Sequence, residues 1–165
     1  MTEGDVFEFA VPDGRFGYGI IIKRGGLKNG GTPYIAIFKS LHDERPNFSD
    51  VVCEEIVLSG WTMDALFYHG RWHVVGKGIP LPLVPFPNFK VAIDGRFHVT
   101  DVEGNAIREA KAAELEILDY QFSRSPIGFQ HAFEAIHGFR TWDRGDDKLT
   151  PAYALTRMSC PGSLN

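Results

Sequence analysis

The side chains in this 165-residue chain with chemistry to offer are six histidines and a surplus of acids. His69 and His73 are four apart, the spacing that lets two imidazoles share a metal on one helical face. Gly70 and Trp72 lie between them, and a glycine there ends a helix, so the two are not expected to face the same way. His131 and His137 are six apart and fall on different faces of a helix. The sequence contains neither HExxH nor a Cys/His cluster, so no metal is expected and the histidines read as surface or core residues. Glu54-Glu55 and Asp146-Asp147 are acid doublets. Paired carboxylates drive glycoside and phosphodiester chemistry, but strand neighbours point to opposite faces, so neither doublet makes a pair by itself. Gly14, Gly17 and Gly19 run G-x-x-G-x-G, the wrong order for a dinucleotide fingerprint, and Ile20-Ile21-Ile22 opens no helix. Lys23, Arg24 and Lys28 in the glycine-rich stretch 23–31 lack P-loop spacing. A nucleophile elbow and a reactive-cysteine signature are missing, and Arg144-Gly145-Asp146 is a chance tripeptide. The expectation is a protein that is not an enzyme, with no catalytic residues and no cofactor.

Composition narrows the partners. A length of 165 residues favours one domain, burying roughly 70% of its unfolded surface. Thirteen Phe, 18 Gly and 10 Pro favour β-structure with tight connections. A net charge of −4 argues against nucleic acid, which needs a basic face, and leaves a basic protein open. The chain has neither a signal-peptide run nor an apolar stretch of about 18 residues, so no membrane is expected and the location is cytoplasmic. Cys53 and Cys160 read as unpaired thiols.

The elements that must position these residues can be read in order. Val6 to Val11 and Phe16 to Ile22 are two strands about the turn Pro12-Asp13-Gly14, in which proline presets φ and glycine permits a positive one. Gly17 and Gly19 within the second strand predict a bend, a bulge or a segment lying close by. Tyr34 to Phe38 is a buried strand pairing with that hairpin. After the polar stretch 42–50, where Ser49 is a candidate cap, Glu54 to Trp61 is a further strand. Thr62 would cap a two-turn helix ending at Gly70, and Arg71 to Gly76 returns to strand. Pro80, Pro82, Pro85 and Pro87 exclude helix or central strand, leaving an extended segment with its Leu, Val and Phe side chains inward. Asp94-Gly95 joins two strands, Phe89 to Ile93 and Arg96 to Val102. Ile107 belongs to a final strand after Gly104-Asn105, and 111–118 has helical composition. Ser125-Pro126 starts a helix that buries Phe129, Phe133 and Ile136 and stops at Gly138. Phe139 to Asn165 reads as an added strand or a tail, frayed at its end.

GDVFEF, PDGRFGYG, GRWHVVG and PLP, in that order from about Gly4 to about Gly138, resemble the Imm26 family of bacterial immunity proteins. Those proteins neutralise toxins of polymorphic and contact-dependent inhibition systems. The signature positions are Gly4, Asp5, Pro12, Asp13, Gly14, Arg15, Gly19, Gly70, Arg71, Trp72 and Gly76. The buried Trp72 with Arg71 over an aromatic ring, and Asp13 with Arg15 at the turn, read as structural. The expected domains are an Imm26-like domain, 1–138, and an extension, 139–165, packed on it. The expected fold is mainly β (α+β), a strongly bent antiparallel sheet or partly open β-barrel with two or three short helices.

Charge locates a contact. Asp43, Glu44, Asp50, Glu54, Glu55 and Asp64 stand against one base, Arg45, and six further acids between Asp101 and Asp119 stand against Arg108 and Lys111. The two regions are expected to form one negative face that fills the positive groove of a nuclease, and the first six acids are the candidate toxin-binding residues. The resemblance implies a protein-protein interaction with a cognate toxin, by stoichiometric non-catalytic inhibition, as monomer or homodimer. Two other readings stay open: a small β-barrel binding module unrelated to toxins, and an enzyme with an unrecognised carboxylate site.

Overall fold

The computed structural model describes residues 1–25 and 31–158. Lys28, Cys160 and the expected frayed end lie outside the described residues. The chain divides into two compact units: residues 1–84 with 123–150, and residues 85–122 with 151–165.

The first unit is built on a five-stranded antiparallel sheet: β1 (Val6–Ala10), β2 (Phe16–Arg24), β3 (Pro33–Phe38), β4 (Ile56–Trp61) and β5 (Trp72–Gly76), ordered β4-β3-β2-β1-β5. The hairpin at its centre forms as its turn chemistry predicts. Val11 carbonyl accepts the Gly14 N–H at 3.0 Å, and Gly14 takes φ +90°, which glycine adopts without a Cβ clash. Among the described residues, four helices belong to this unit: α1 (Phe48–Val51), α2 (Ala65–Tyr68), α4 (Pro126–Ile136) and a 3-10 helix (Arg144–Leu149). α4 starts where Ser125-Pro126 predicts, with the Ser125 hydroxyl accepting the Gly128 N–H at 3.2 Å, and Gly138 stops it at φ +80°.

The second unit holds the meander β6 (Phe89–Ile93), β7 (Arg96–Thr100) and β8 (Ala106–Glu109), with α3 (Ala112–Ile117) and α5 (Pro151–Arg157). Asp94 (φ 49°) and Gly95 (φ 76°) both take positive φ, the two-residue hairpin turn expected of Asp-Gly.

The mainly β, α+β expectation holds, with two separate sheets and five α-helices among the described residues. The barrel alternative does not: in the order β4-β3-β2-β1-β5, strands β4 and β5 are opposite edges and do not pair, so the sheet stays open. Local expectations differ in five places. Thr62 is not a cap; its N–H bonds Pro33 carbonyl at 2.9 Å, which prolongs the ladder and delays α2 until Asp64. Asn47, not Ser49, caps α1, its side chain accepting the Ser49 N–H at 3.2 Å. Ile136 is exposed at the last turn of α4, because the buried stripe is completed by Gln130 and Glu134. Leu81 and Leu83 point outward from the proline-rich segment, Leu83 fully exposed. Among the described residues after Gly138, the regular structure is helical, in the 3-10 helix and α5, and not a strand.

Candidate functional site

Strand β1 sends alternate side chains to opposite faces. On one face, Phe7 and Phe9 lie over the glycines of their cross-strand partners, Gly19 and Gly17. A Cβ on Gly19 would fall 2.3 Å from the Phe7 ring, and one on Gly17 2.6 Å from the Phe9 ring. The close approach therefore explains both glycines. The β1–β2 register runs without a shift, so no bulge is involved. Trp72 stacks on Phe7 with centroids 4.9 Å apart, and Phe133 of α4 meets Phe9 edge-on at 5.1 Å. The indole N–H donates to Gln130 Oε1 at 3.3 Å; the Gln130 amide donates to Glu134, which pairs with Arg140.

On the other face stands Glu8, buried beside its cross-strand partner Tyr18. The Tyr18 hydroxyl donates to Glu8 Oε2 at 3.2 Å. Burial, with the carboxylate beside it, pushes the phenol up to about 12. Arg45 completes the group from the connection 39–55 between β3 and β4. Its guanidinium donates through Nε at 3.2 Å and Nη2 at 2.7 Å to the two oxygens of Glu8, a forked, charge-assisted pair. This bond raises the arginine's own pKa.

The connection forms a strap held at several points. Its ends close where the Lys39 N–H bonds Glu55 carbonyl at 2.8 Å. His42 exchanges two backbone hydrogen bonds with Phe16, at 2.9 and 3.0 Å. His42 Nε2 lies 3.0 Å from Glu54 Oε1, an ion-pair distance without the alignment of a hydrogen bond. The Phe48 ring packs where Gly76 leaves room, as a Cβ there would meet it at 2.8 Å, and Val51 is buried.

The six candidate toxin-binding acids fall into two sets. Glu54 faces His42, and Glu55 pairs with Lys39 at 2.6 Å. Asp43, Glu44 and Asp50 are exposed along the strap, and Asp64 is exposed before α2. The strap's own bases, Lys39, His42 and Arg45, are engaged by Glu55, Glu54 and Glu8. The acids of 101–119 lie in the second unit and are largely committed there. Asp101 accepts the Glu103 and Asn105 N–H groups, Glu109 faces Arg96, Glu114 pairs with Arg108, and Asp119 accepts the Tyr153 hydroxyl at 2.6 Å.

The signature residues build the sheet's margins. Gly4, at φ +82°, approaches Ile79 so closely that a Cβ would meet its carbonyl at 2.8 Å. Asp5 is buried and accepts the Thr2 N–H at 2.8 Å. Exposed Pro12 leads into the turn, where Asp13 accepts from Arg15 Nε at 2.8 Å; this bond holds the Asp13 carboxyl below its usual range. Gly70, at φ +63°, ends α2, and Arg71 is exposed while Trp72 is buried. His69 closes α2 and His73 lies on β5, so the pair is split between two elements. Asp146 is buried against Arg124 at 2.6 Å, its pKa raised by burial, whereas Asp147 is exposed. Among the described residues, no three His, Cys, Asp or Glu side chains gather as a metal-holding group, and no helix is long and apolar enough to cross a membrane.

Sequence reasoning missed the Glu8–Tyr18–Arg45 group. The available signals were an acid between buried strand residues and one lone base within an acidic run.

The hairpin, the strap and β5 all lie within residues 2–90, which match the family model Imm26, Immunity protein 26. That is more than half of the chain, and the chain belongs to the Imm26 family. Its role is that of an immunity protein, which implies a partner toxin. No curated protein and no solved structure matches it.

Proposed function

We propose that this protein binds a cognate bacterial toxin one-to-one and inhibits it without chemistry, by covering a positively charged surface on the toxin. The single observation behind this reading is the strap's charge arrangement. Asp43, Glu44 and Asp50 face outward while the neighbouring bases His42 and Arg45 are engaged by Glu54 and Glu8. The outward face is therefore negative despite the bases in its sequence, and it complements a basic groove. A nuclease carries such a groove for its polyanionic substrate, so a nuclease toxin is the class favoured. Complementary charge raises association toward about 10⁸–10⁹ M⁻¹s⁻¹ at low salt, which suits interception of a toxin already inside the cytoplasm.

The test is co-expression with the product of the gene adjacent to this one, as the candidate cognate toxin. Growth should be restored, and the purified pair should form a one-to-one complex. Undiminished toxicity would sink the reading. Asp43→Lys/Glu44→Lys reverses two exposed charges and should slow association by about tenfold or more at low salt. The same reversal at Glu54 and Glu55 is less informative, because it also breaks the pairs with His42 and Lys39.

A further inference from the structure

The strap carries its exposed acids on a segment with little regular structure: α1 is a single turn, and its remaining backbone contacts lie at the ends and at His42. Between these anchors, one side chain reaches the sheet with charge. Arg45 grips Glu8 with two hydrogen bonds, and the Glu8 carboxylate is itself positioned by the Tyr18 hydroxyl. Arg45 lies one and two residues from Glu44 and Asp43. Its side chain is 59% exposed, whereas Glu8 and Tyr18 are buried in the sheet. A partner docked on the strap would meet Asp43 and Glu44 and would not touch Glu8 or Tyr18. A forked guanidinium–carboxylate pair fixes direction as well as distance, so it orients the backbone that bears the neighbouring acids.

We propose that Glu8 and Tyr18 act through Arg45 as a latch, holding the strap in the conformation in which Asp43 and Glu44 meet the partner. They are positioning residues for recognition. The proposal rests on the acidic-strap reading above and adds that capture depends on a buried pair outside the contact surface. Steering by charge alone depends on how many acids are present. A latched strap depends also on where they are held, because ordering a loose segment on binding costs conformational entropy.

The charge-neutral double variant Glu8→Gln/Arg45→Met separates the two effects. One acid and one base are lost together, so the net charge stays at −4 and every exposed strap acid remains. Amide hydrogen exchange on the full chain without toxin should show the hydrogen-bonded strap amides of His42, Ser49 and Asp50 exchanging about tenfold faster, with β2 and β3 unchanged. Unaltered strap exchange overturns the latch, whatever the toxin does. Association with the neighbouring gene's toxin should slow by about tenfold. If the strap loosens and Asp43→Lys/Glu44→Lys slows association, but the neutral variant binds at the wild-type rate, the positioning role is wrong and the acidic-strap reading survives. If neither variant changes the rate, both fall. Arg45→Lys keeps the charge without the fork and should give an intermediate rate. It carries the same comparison should the double variant fail to fold; a wild-type rate for Arg45→Lys in that case overturns the latch.

Discussion

A methyl group on Gly19 would lie 2.3 Å from the Phe7 ring and 2.7 Å from the Ala36 carbonyl oxygen, and only the first of these can move. Gly19→Ala should therefore cost about 3 kcal/mol, in the range of overpacked cores, read as a lower urea midpoint at unchanged slope. Phe7→Leu removes the ring edge that the methyl would strike. The double variant Gly19→Ala/Phe7→Leu should lose less than the sum of the single losses. Strict additivity would mean that the ring is not what the glycine accommodates. The need for glycine here was legible as three alternatives, because a glycine in a strand signals a bend, a bulge or a close neighbour alike. Choosing among them required the register, which sets Phe7 opposite Gly19. Trp72 was readable as a core residue from its size. Its hydrogen bond to Gln130, 58 residues away, left no mark on the local pattern.

At the scale of elements, α4 followed its ends more faithfully than its face, whereas α1 and α2 start at Asn47 and Asp64 and not at the caps their sequences suggest. Ser125-Pro126 and Gly138 bounded α4, since a cap is decided by two or three adjacent residues. Ile136 differs because the α4 face is shared with Gln130 and Glu134, polar residues whose partners outside the helix are Trp72, the Ala10 carbonyl and Arg140. α3 was visible in the composition of 111–118, but its tie to β8 was not. Glu114 is buried, accepts the Lys111 N–H at 2.8 Å and takes two hydrogen bonds from Arg108. Chiefly through Arg108, its carboxyl is held down to about 2. Since the folded pKa lies below the ordinary value of 4.5, the stabilisation is fully present above about 4.5 and disappears as pH falls through about 2. Glu114→Gln should lower stability by about 2 kcal/mol at neutral pH, with the gap to wild type closing in that acid window. Denaturation curves read at α3 by hydrogen exchange would check this. A gap that stays constant down to pH 2 contradicts it.

For the whole molecule, charge is the feature that composition states and structure redistributes. If a negative strap captures a basic toxin, raising ionic strength from about 0.01 M to about 0.15 M shortens the screening length from about 30 Å to about 8 Å. Association should then slow by about tenfold or more while dissociation changes little. An association rate indifferent to salt would remove steering from the account. What the amino-acid order settled alone was local: the Pro12-Asp13-Gly14 and Asp94-Gly95 turns and the start and stop of α4. Each depends on backbone preferences expressed within a few residues. What tertiary structure decided was which charges are free. Arg45 reaches Glu8 across 37 residues, His42 faces Glu54, and Glu114 is taken by Arg108, so acids that look alike in sequence differ in exposure and partners. Such pairings follow from where the chain returns in space. No periodicity records that, because a carboxylate's partner is chosen by proximity after the sheet has formed.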